Sequence, residues 1–491
     1  MTTAIAPRKA AVIDIGSNSV RLVIYEASGS AALPYFNEKV LAGLGRGLTE
    51  TGTLSAEGVV QALAALRRYR AILEGLGVTQ VIAVATAAVR EAEDGDDFAR
   101  KAAAELGAPL RILSGTDEGR LSALGVRVGI YRADGVMGDL GGSSLEFQRV
   151  SPGGDDAMGE THLLGPLAMA DTEHLPIADR RKAIRKVLRD SKLIEQGGRR
   201  FYAVGGAWRA LANVHMELTS YPLRVLHGYK MDGQALRQVL KAIISTERDK
   251  DLGQKLSSLV GRRFDTLTHA ALVLSEVFDM GEFKEIVISA NGLRDGVLAD
   301  SIAIPTHDPL LDGIAAFLRL ETWQYAFGET LFDFISPVMP KLMSRDRIYR
   351  AACLLADCGG RYHPDHRPDL AYDVVLRAPI PGILHDDRAM LAHAIGCRYS
   401  HKFARPPEYV RIGKASDEEV SRILGAAMRL GAVYSGRSST VLWQASLKPS
   451  KTRLTLEVTK GHEAMISETV VKRLSYLANL LDLDAHTTVA K

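Results

Sequence analysis

Two stretches of this chain are versions of one another. Residues 13–23 read Ile-Asp-Ile-Gly-Ser-Asn-Ser-Val-Arg-Leu-Val, and residues 138–148 read Gly-Asp-Leu-Gly-Gly-Ser-Ser-Leu-Glu-Phe-Gln. Asp14 aligns with Asp139, Gly16 with Gly141, Ser19 with Ser144 and Leu22 with Phe147, at an offset of 125 residues. Each copy opens as an apolar strand, makes a loop of small residues and returns as a strand. A repeat about one domain apart predicts two related α/β halves, each carrying the same loop.

The segments around the repeat fit that prediction. Ala10 to Ile15 and Val20 to Tyr25 read as strands. A helix is predicted over 56–73, with Ser55 as N-cap. Strands follow at Val81 to Thr86 and Leu110 to Leu113, and helices at Asp97 to Leu106 and from about Asp117. Two further loops sit where strands end, Gly205-Gly206 after Phe201 to Val204, and 291–296 after Ile286 to Ser289. Open α/β sheets bind ligands at such strand ends.

Beyond about residue 308 helical patterns dominate to about 400, interrupted by Pro364, Pro368, Pro379 and Pro381. A helix is predicted over 415–434, strands over Val441 to Leu447 and Thr452 to Val458, and a helix over 465–481. Residues 398–491 hold fifteen Lys and Arg against nine Asp and Glu, while the whole chain is only +3. The positive excess lies at the C-terminal end, which suits a polyanionic substrate.

The rest of the composition excludes more than it selects. Three cysteines, Cys353, Cys358 and Cys397, form no CxxC pair and no disulfide framework, so a reducing compartment is expected. The first nine residues lack the apolar core of a signal peptide. No apolar run approaches the ~18 residues needed to span a bilayer. A soluble, cytoplasmic protein is expected.

The repeated loops carry the chemistry. Backbone amides in a Gly/Ser loop can converge on an anion because few side chains obstruct the approach. Gly16, Ser17, Asn18 and Ser19 in one half, and Gly141, Gly142, Ser143 and Ser144 in the other, are candidate phosphate-binding residues. The leading Asp14 and Asp139 repel phosphate, so their natural role is to hold a divalent cation that bridges to it.

With these features assembled, the chain resembles the exopolyphosphatase / guanosine pentaphosphate phosphohydrolase family of the actin-like superfamily. The matching stretches are AVIDIGSNSVRLVIYE (11–26), ATAAVREAEDG (85–95), ILSGTDEGRLSALGV (112–126), GDLGGSSLEF (138–147), AVGGAWRALA (203–212) and NGLRDGVLAD (291–300). One local departure is Gly141-Gly142-Ser143-Ser144-Leu145, where the family often has Gly-Gly-Gly-Ser-Thr. Ser143 in place of the third Gly keeps a donor and narrows the backbone options.

The resemblance implies roles. Glu118 matches the family's catalytic glutamate, which positions and deprotonates the attacking water. Ser114 and Asp117 form the capping box that begins its helix. Asp139 and Glu146 match acidic positions serving metal binding and catalysis, with Mg²⁺ as the metal and Asp14 nearby. Arg90 matches a phosphate-contacting arginine. Gly205 and Gly206 match a third phosphate loop. Arg294 lies in a further family-like loop, where a structural role is the simpler reading. Arg181, Arg185 and Arg189 line one side of a predicted helix and read as a solvated face.

The implied fold is α/β, with two actin-like (ribonuclease H-like) domains at 1–132 and 133–305. A helical HD-like domain (306–400) and a small α+β C-terminal domain (401–491) follow. ACLLADCGGRYHPDH (352–366) carries the HD likeness, but Ala356-Asp357 stands where a metal-binding His-Asp pair would be. The implied activity is Mg²⁺-dependent removal of terminal phosphate from inorganic polyphosphate by a homodimer. Guanosine pentaphosphate is the alternative substrate, and an ATP-dependent kinase of the same superfamily the alternative enzyme. No membrane or specific nucleic-acid partner is expected.

Overall fold

The computed structural model describes residues 8–154, 158–246, 248–304, 308–340 and 345–490. It divides into two compact units, one within 8–309 and the other within 310–490. The expected boundary at 305/306 falls outside the described residues. Among the described residues no helix is long and apolar enough to cross a membrane.

The first unit holds two sheets. One is built from β1 (Arg8–Ile15), β2 (Val20–Ser28), β3 (Ala31–Val40), β4 (Gln80–Ala85) and β5 (Leu110–Ile112), in the order β3-β2-β1-β4-β5. The other is built from β6 (Gly135–Leu140), β7 (Leu145–Val150), β8 (Gly159–His162), β9 (Arg200–Val204), β10 (Lys230–Met231) and β11 (Glu285–Ile288), in the order β10-β11-β9-β6-β7-β8.

Read from the other edge, the second sheet repeats the first with β10 added. In both, the first strand pairs antiparallel with the second and parallel with the fourth, and the second pairs antiparallel with the third. The repeat extends to register. Asp14 lies opposite Arg21 and beside Val84, and Asp139 lies opposite Glu146 and beside Val204. Each loop closes on the same bond, Gly16 N–H to Ser19 O at 3.0 Å and Gly141 N–H to Ser144 O at 2.9 Å.

Strand alternation explains how the two halves share one helix. Ala11, Ile13 and Ile15 enter a core with the helices Ala56–Gly75 and Gly95–Leu106. Ala10 and Val12 enter a different core with Leu121, Leu124 and Val297. Asp14 has the parity of Ala10 and Val12, so it faces the second core. In β6, Met137 packs with Ala123, Val126 and Ile130, and Asp139 has the parity of Met137. The helix Gly115–Gly129 therefore contributes to cores beneath both sheets, on the faces that carry the two aspartates. The helix Leu293–Ile302 packs beside it.

Among the described residues of the second unit, seven longer helices accompany a three-stranded sheet: Leu310–Leu318, Thr322–Ile335, Asp346–Leu355, Arg367–Arg377, His385–Tyr399, Asp417–Ser435 and, between the last two strands, Glu468–Leu480. The sheet comprises β12 (Ala445–Pro449), β13 (Arg453–Val458) and β14 (Asp484–Val489), with β12-β13 antiparallel and β13-β14 parallel. Residues 310–490 cohere as one unit. His385–Tyr399 and Asp417–Ser435 pack on each other across residue 400, where Gly425 rests on Cys397 and the Ala394 carbonyl.

The strand predicted from Val441 is not one at its start. Ser438 accepts from the Val441 amide at 3.4 Å and caps a short helix, Ser439–Leu442, so pairing begins only at Ala445. Capping outcompetes the β-propensity of two apolar residues there.

Candidate functional site

Glu118, Asp14, Asp139 and Glu146 meet where the helix Gly115–Gly129 passes the ends of β1 and β6. Ser114 caps that helix by accepting from the Asp117 amide at 3.0 Å, as its sequence suggests. Glu118 is thereby set in the first helical turn. The next residue, Gly119, lies against Glu146, with only 3.5 Å from a notional Cβ to the Glu146 Cβ.

One turn further on, Ser122 donates to Asp139 Oδ2 at 2.7 Å. Ser144 donates to Glu146 Oε1. Glu118 Oε2 lies 3.4 Å from Arg90 Nη1, which also donates to the Leu113 carbonyl at 2.8 Å. Arg294 Nη1 donates to Asp14 Oδ2 at 2.9 Å, tying residues 280 positions apart. Asp14 keeps acceptor capacity for another partner.

The carboxylates perturb one another. Burial, then the charge of Asp139, raises Glu118 to about 7, against the pull of Arg90. Glu146 is raised well above the usual carboxylate range, by burial first and Glu118 next. Asp139 is raised by burial, against the Ser122 hydrogen bond. Buried carboxyls sharing one space favour a proton or a cation among them.

The two loops face each other across this cluster. A Cβ on Gly142 would lie 3.6 Å from the Ser17 Cβ. Among the described residues, the amides of Ser17, Asn18, Ser19, Gly142, Ser143 and Ser144 donate to no protein acceptor. Gly205 ends β9 with a notional Cβ 3.2 Å from Asp139 Oδ1, so its backbone borders the same site. Gly206 begins the next helix with the Arg263 guanidinium packed directly on its Cα.

The structure adds cations that the sequence did not single out. Burial lowers Arg209 to about 10, aided by Arg294, Arg263 and Arg21. Burial and then Arg263, Arg21, Arg294 and Arg209 lower Lys39. Burial and then Arg294 lower Arg21. Arg21, Lys39, Arg209 and Arg263 come from four separate segments and share one space with Arg294, whose charge lowers Arg21, Lys39 and Arg209. No local motif announces them. Arg21 alone had a signal, as the residue opposite Asp14 in the hairpin.

Elsewhere the candidates are otherwise engaged. Arg181 and Arg185 both pair with the fully buried Glu276, Arg181 at 2.8 Å. Asp357 accepts from Arg437 at 2.9 and 3.0 Å. Of the basic residues in the C-terminal stretch, Arg405 pairs with Glu418 and Lys414 with Asp386. Among the described residues, no three His, Cys, Asp or Glu side chains converge closely enough to ligate an ion directly. The donor set at Asp139 and Glu146 is still hard oxygen with uncompensated charge. That suits Mg²⁺, which keeps several of its waters and takes few protein ligands.

Comparison with known proteins identifies the family. Residues 22–303 match the Ppx/GppA phosphatase family, and residues 340–486 match the exopolyphosphatase C-terminal family. The chain is 26% identical to exopolyphosphatase 2 of Mycobacterium tuberculosis over 328 residues, covering 63% of this chain and 98% of that protein. It is 24% identical to retrograde regulation protein 2 of Saccharomyces cerevisiae over 468 residues, covering 86% and 79%. Among solved structures, a Ppx/GppA protein of Aquifex aeolicus superposes with a TM-score of 0.53 at 22% identity, over 60% of this chain and 98% of that one. An exopolyphosphatase from Cytophaga hutchinsonii superposes with 0.55 at 21% identity, over 61% and 100%. With a buried glutamate, paired aspartate loops and a match over most of its length, the chain belongs to the Ppx/GppA phosphatase family.

Proposed function

We propose that this protein is an exopolyphosphatase that removes terminal orthophosphate from inorganic polyphosphate, with two actin-like halves forming the catalytic cleft. The observation that carries the proposal is the pair of facing loops with six free amides, set beside a glutamate held near neutrality. The amides of 17–19 and 142–144 bind oxygens of the terminal phosphates. Arg21, Lys39, Arg209 and Arg263 neutralise the phosphates behind them, as a chain of like charges requires.

Glu118 orients a water for in-line attack and takes its proton. The water oxygen bonds to the terminal phosphorus as the bridging P–O bond breaks. Orthophosphate and a chain one phosphate shorter leave. A base with a pKa near 7 is matched to that transfer at neutral pH. Arg90 keeps the Glu118 carboxylate in place and offers its remaining donors to phosphate. Asp139 and Glu146, with Asp14 beside them, would hold Mg²⁺, which would supply charge neutralisation there. The cytoplasm as the site of action, and assembly as a homodimer, belong to the same reading.

The test is phosphate release from polyphosphate, guanosine pentaphosphate and ATP, with and without Mg²⁺, for wild type and Glu118→Gln. Release from polyphosphate that is lost in the variant is expected. No release from any of the three overturns the hydrolase reading. ATP consumption only with an added acceptor replaces it with a kinase.

A further inference from the structure

We propose that two backbone straps, residues 43–45 and 165–167, are positioning elements that aim the phosphate-binding amides. The inference rests on the phosphate-cradle reading above and goes on to say what sets the cradle's geometry. Each strap follows the third strand of its sheet, β3 or β8, and runs behind one loop.

In the first half Gly43 N–H donates to Asn18 O at 3.1 Å, and Gly45 N–H to Ser17 O at 2.8 Å. In the second half Gly165 N–H donates to Ser143 O at 3.0 Å, and Leu167 N–H to Gly142 O at 2.9 Å. Ser17 and Gly142 are equivalent in the repeat, as are Asn18 and Ser143. Residues i and i+2 of each strap therefore hold equivalent carbonyls in both halves.

A trans peptide points its C=O and N–H in opposite directions. Tying back the carbonyls of 17 and 18 turns the amides of 18 and 19 outward. Tying back those of 142 and 143 does the same for the amides of 143 and 144. These are among the amides that find no protein acceptor. Small-residue loops are otherwise free to rotate, so the straps remove an ordering cost that substrate binding would bear.

The straps tolerate few side chains at the bonding residues. Gly43 has φ +68°, in the left-handed region. A Cβ on Gly165 would lie 2.4 Å from Gly142 O and 2.5 Å from the Ser143 carbonyl carbon. The middle residues contribute no amide to the loops, so Pro166, which has none, fits there. Each strap is also anchored from outside its loop. Ser55 N–H donates to Leu44 O at 3.0 Å. The buried His269 donates from Nε2 to Leu164 O at 2.8 Å.

Tripolyphosphate binding in Mg²⁺, measured by calorimetry on full-length protein that carries Glu118→Gln to stop hydrolysis in the wild-type-strap parent and in every variant, tests the inference without turnover. Gly165→Ala is expected to raise the Kd at least tenfold, about 1.4 kcal/mol, and Gly43→Ala to act in the same direction. His269→Ala is expected to raise Kd several-fold, with His269→Gln, which retains an N–H donor, recovering most of it. A folded Gly165→Ala with the parent's Kd overturns the strap inference. If Gly165→Ala does not fold, the His269 pair decides, and equal Kd for Ala, Gln and the parent overturns it. A parent that binds no tripolyphosphate overturns the cradle reading itself, and the strap inference with it.

Discussion

Glu118→Gln should make the protein more stable and nearly inactive at the same time. The side chain is only 13% exposed, and burial beside Asp139 lifts its pKa from 4.5 to about 7. That difference is roughly 300-fold in proton affinity, or about 3 kcal/mol at 1.36 kcal/mol per decade. Between pH 4.5 and 7 the folded protein binds more protons at this site than the unfolded chain. Stability therefore falls as pH rises through that window and stays lower above it. Gln carries no charge and avoids the cost. The variant should gain up to about 3 kcal/mol at pH 8 and almost nothing at pH 4.5. For a unit of this size that is about 5 °C in Tm at pH 8. Loss of a general base should cut turnover about 10²- to 10⁴-fold. Calorimetric melts at the two pH values without Mg²⁺, together with phosphate release, read both effects. A glutamate that merely packs or pairs with Arg90 predicts the opposite sign of stability. A variant less stable than wild type at pH 8 would refute the reasoning.

Three further outcomes follow from the same site. Only ionised Glu118 accepts a proton, so kcat/KM should fall about tenfold per pH unit below about 7, and a flat profile from pH 5 to 8 would exclude it as the base. Chelating Mg²⁺ should abolish phosphate release, and restoring it should raise Tm because Asp139 and Glu146 are relieved of mutual repulsion; full activity in excess EDTA would remove the metal from the scheme. Truncation after Pro309, at the border between the compact units, should impair hydrolysis of long chains more than short ones, and equal loss at all lengths would count against substrate guidance by 310–491.

How much of this was legible depended on how local each feature is. Strand, loop and return around Asp14 and Asp139 are written in consecutive residues, and the register came out as the alignment requires. The Ser55 and Ser114 caps are equally local, and both accept the expected amides. The basic cluster was not legible, because Arg21, Lys39, Arg209 and Arg263 converge only through the tertiary fold. Ser122 could have been suspected as the residue one helical turn beyond Glu118. The straps reach the loops through main-chain groups, and of the four bonding residues three are glycines, which is little trace in a glycine-containing sequence. β14 follows the last helix as a mixed polar segment, and its place is fixed by pairing with β13.

The duplication also explains why a nearly symmetric scaffold supports an asymmetric reaction. The loops, their closing bonds and their straps are the same in both halves, as gripping a run of identical phosphates requires. The difference lies at one register position. The residue opposite Asp14 is Arg21, and the residue opposite Asp139 is Glu146. In the first half the aspartate is neutralised, by Arg294 at 2.9 Å with Arg21 close by. In the second half a carboxyl faces the aspartate, and among the described residues the Ser122 and Ser144 hydroxyls hydrogen-bond the pair while Arg209 acts on Asp139 through its charge. One half is therefore suited to phosphate charge directly. The other gathers carboxyls, which on the proposed mechanism take a cation, with Glu118 beside them to accept a proton from water. In this reading, exchanging the two positions, Arg21→Glu with Glu146→Arg, keeps net charge and fold topology but loses activity. Retained turnover in that double variant would mean that the polarity between the halves plays no part in the chemistry.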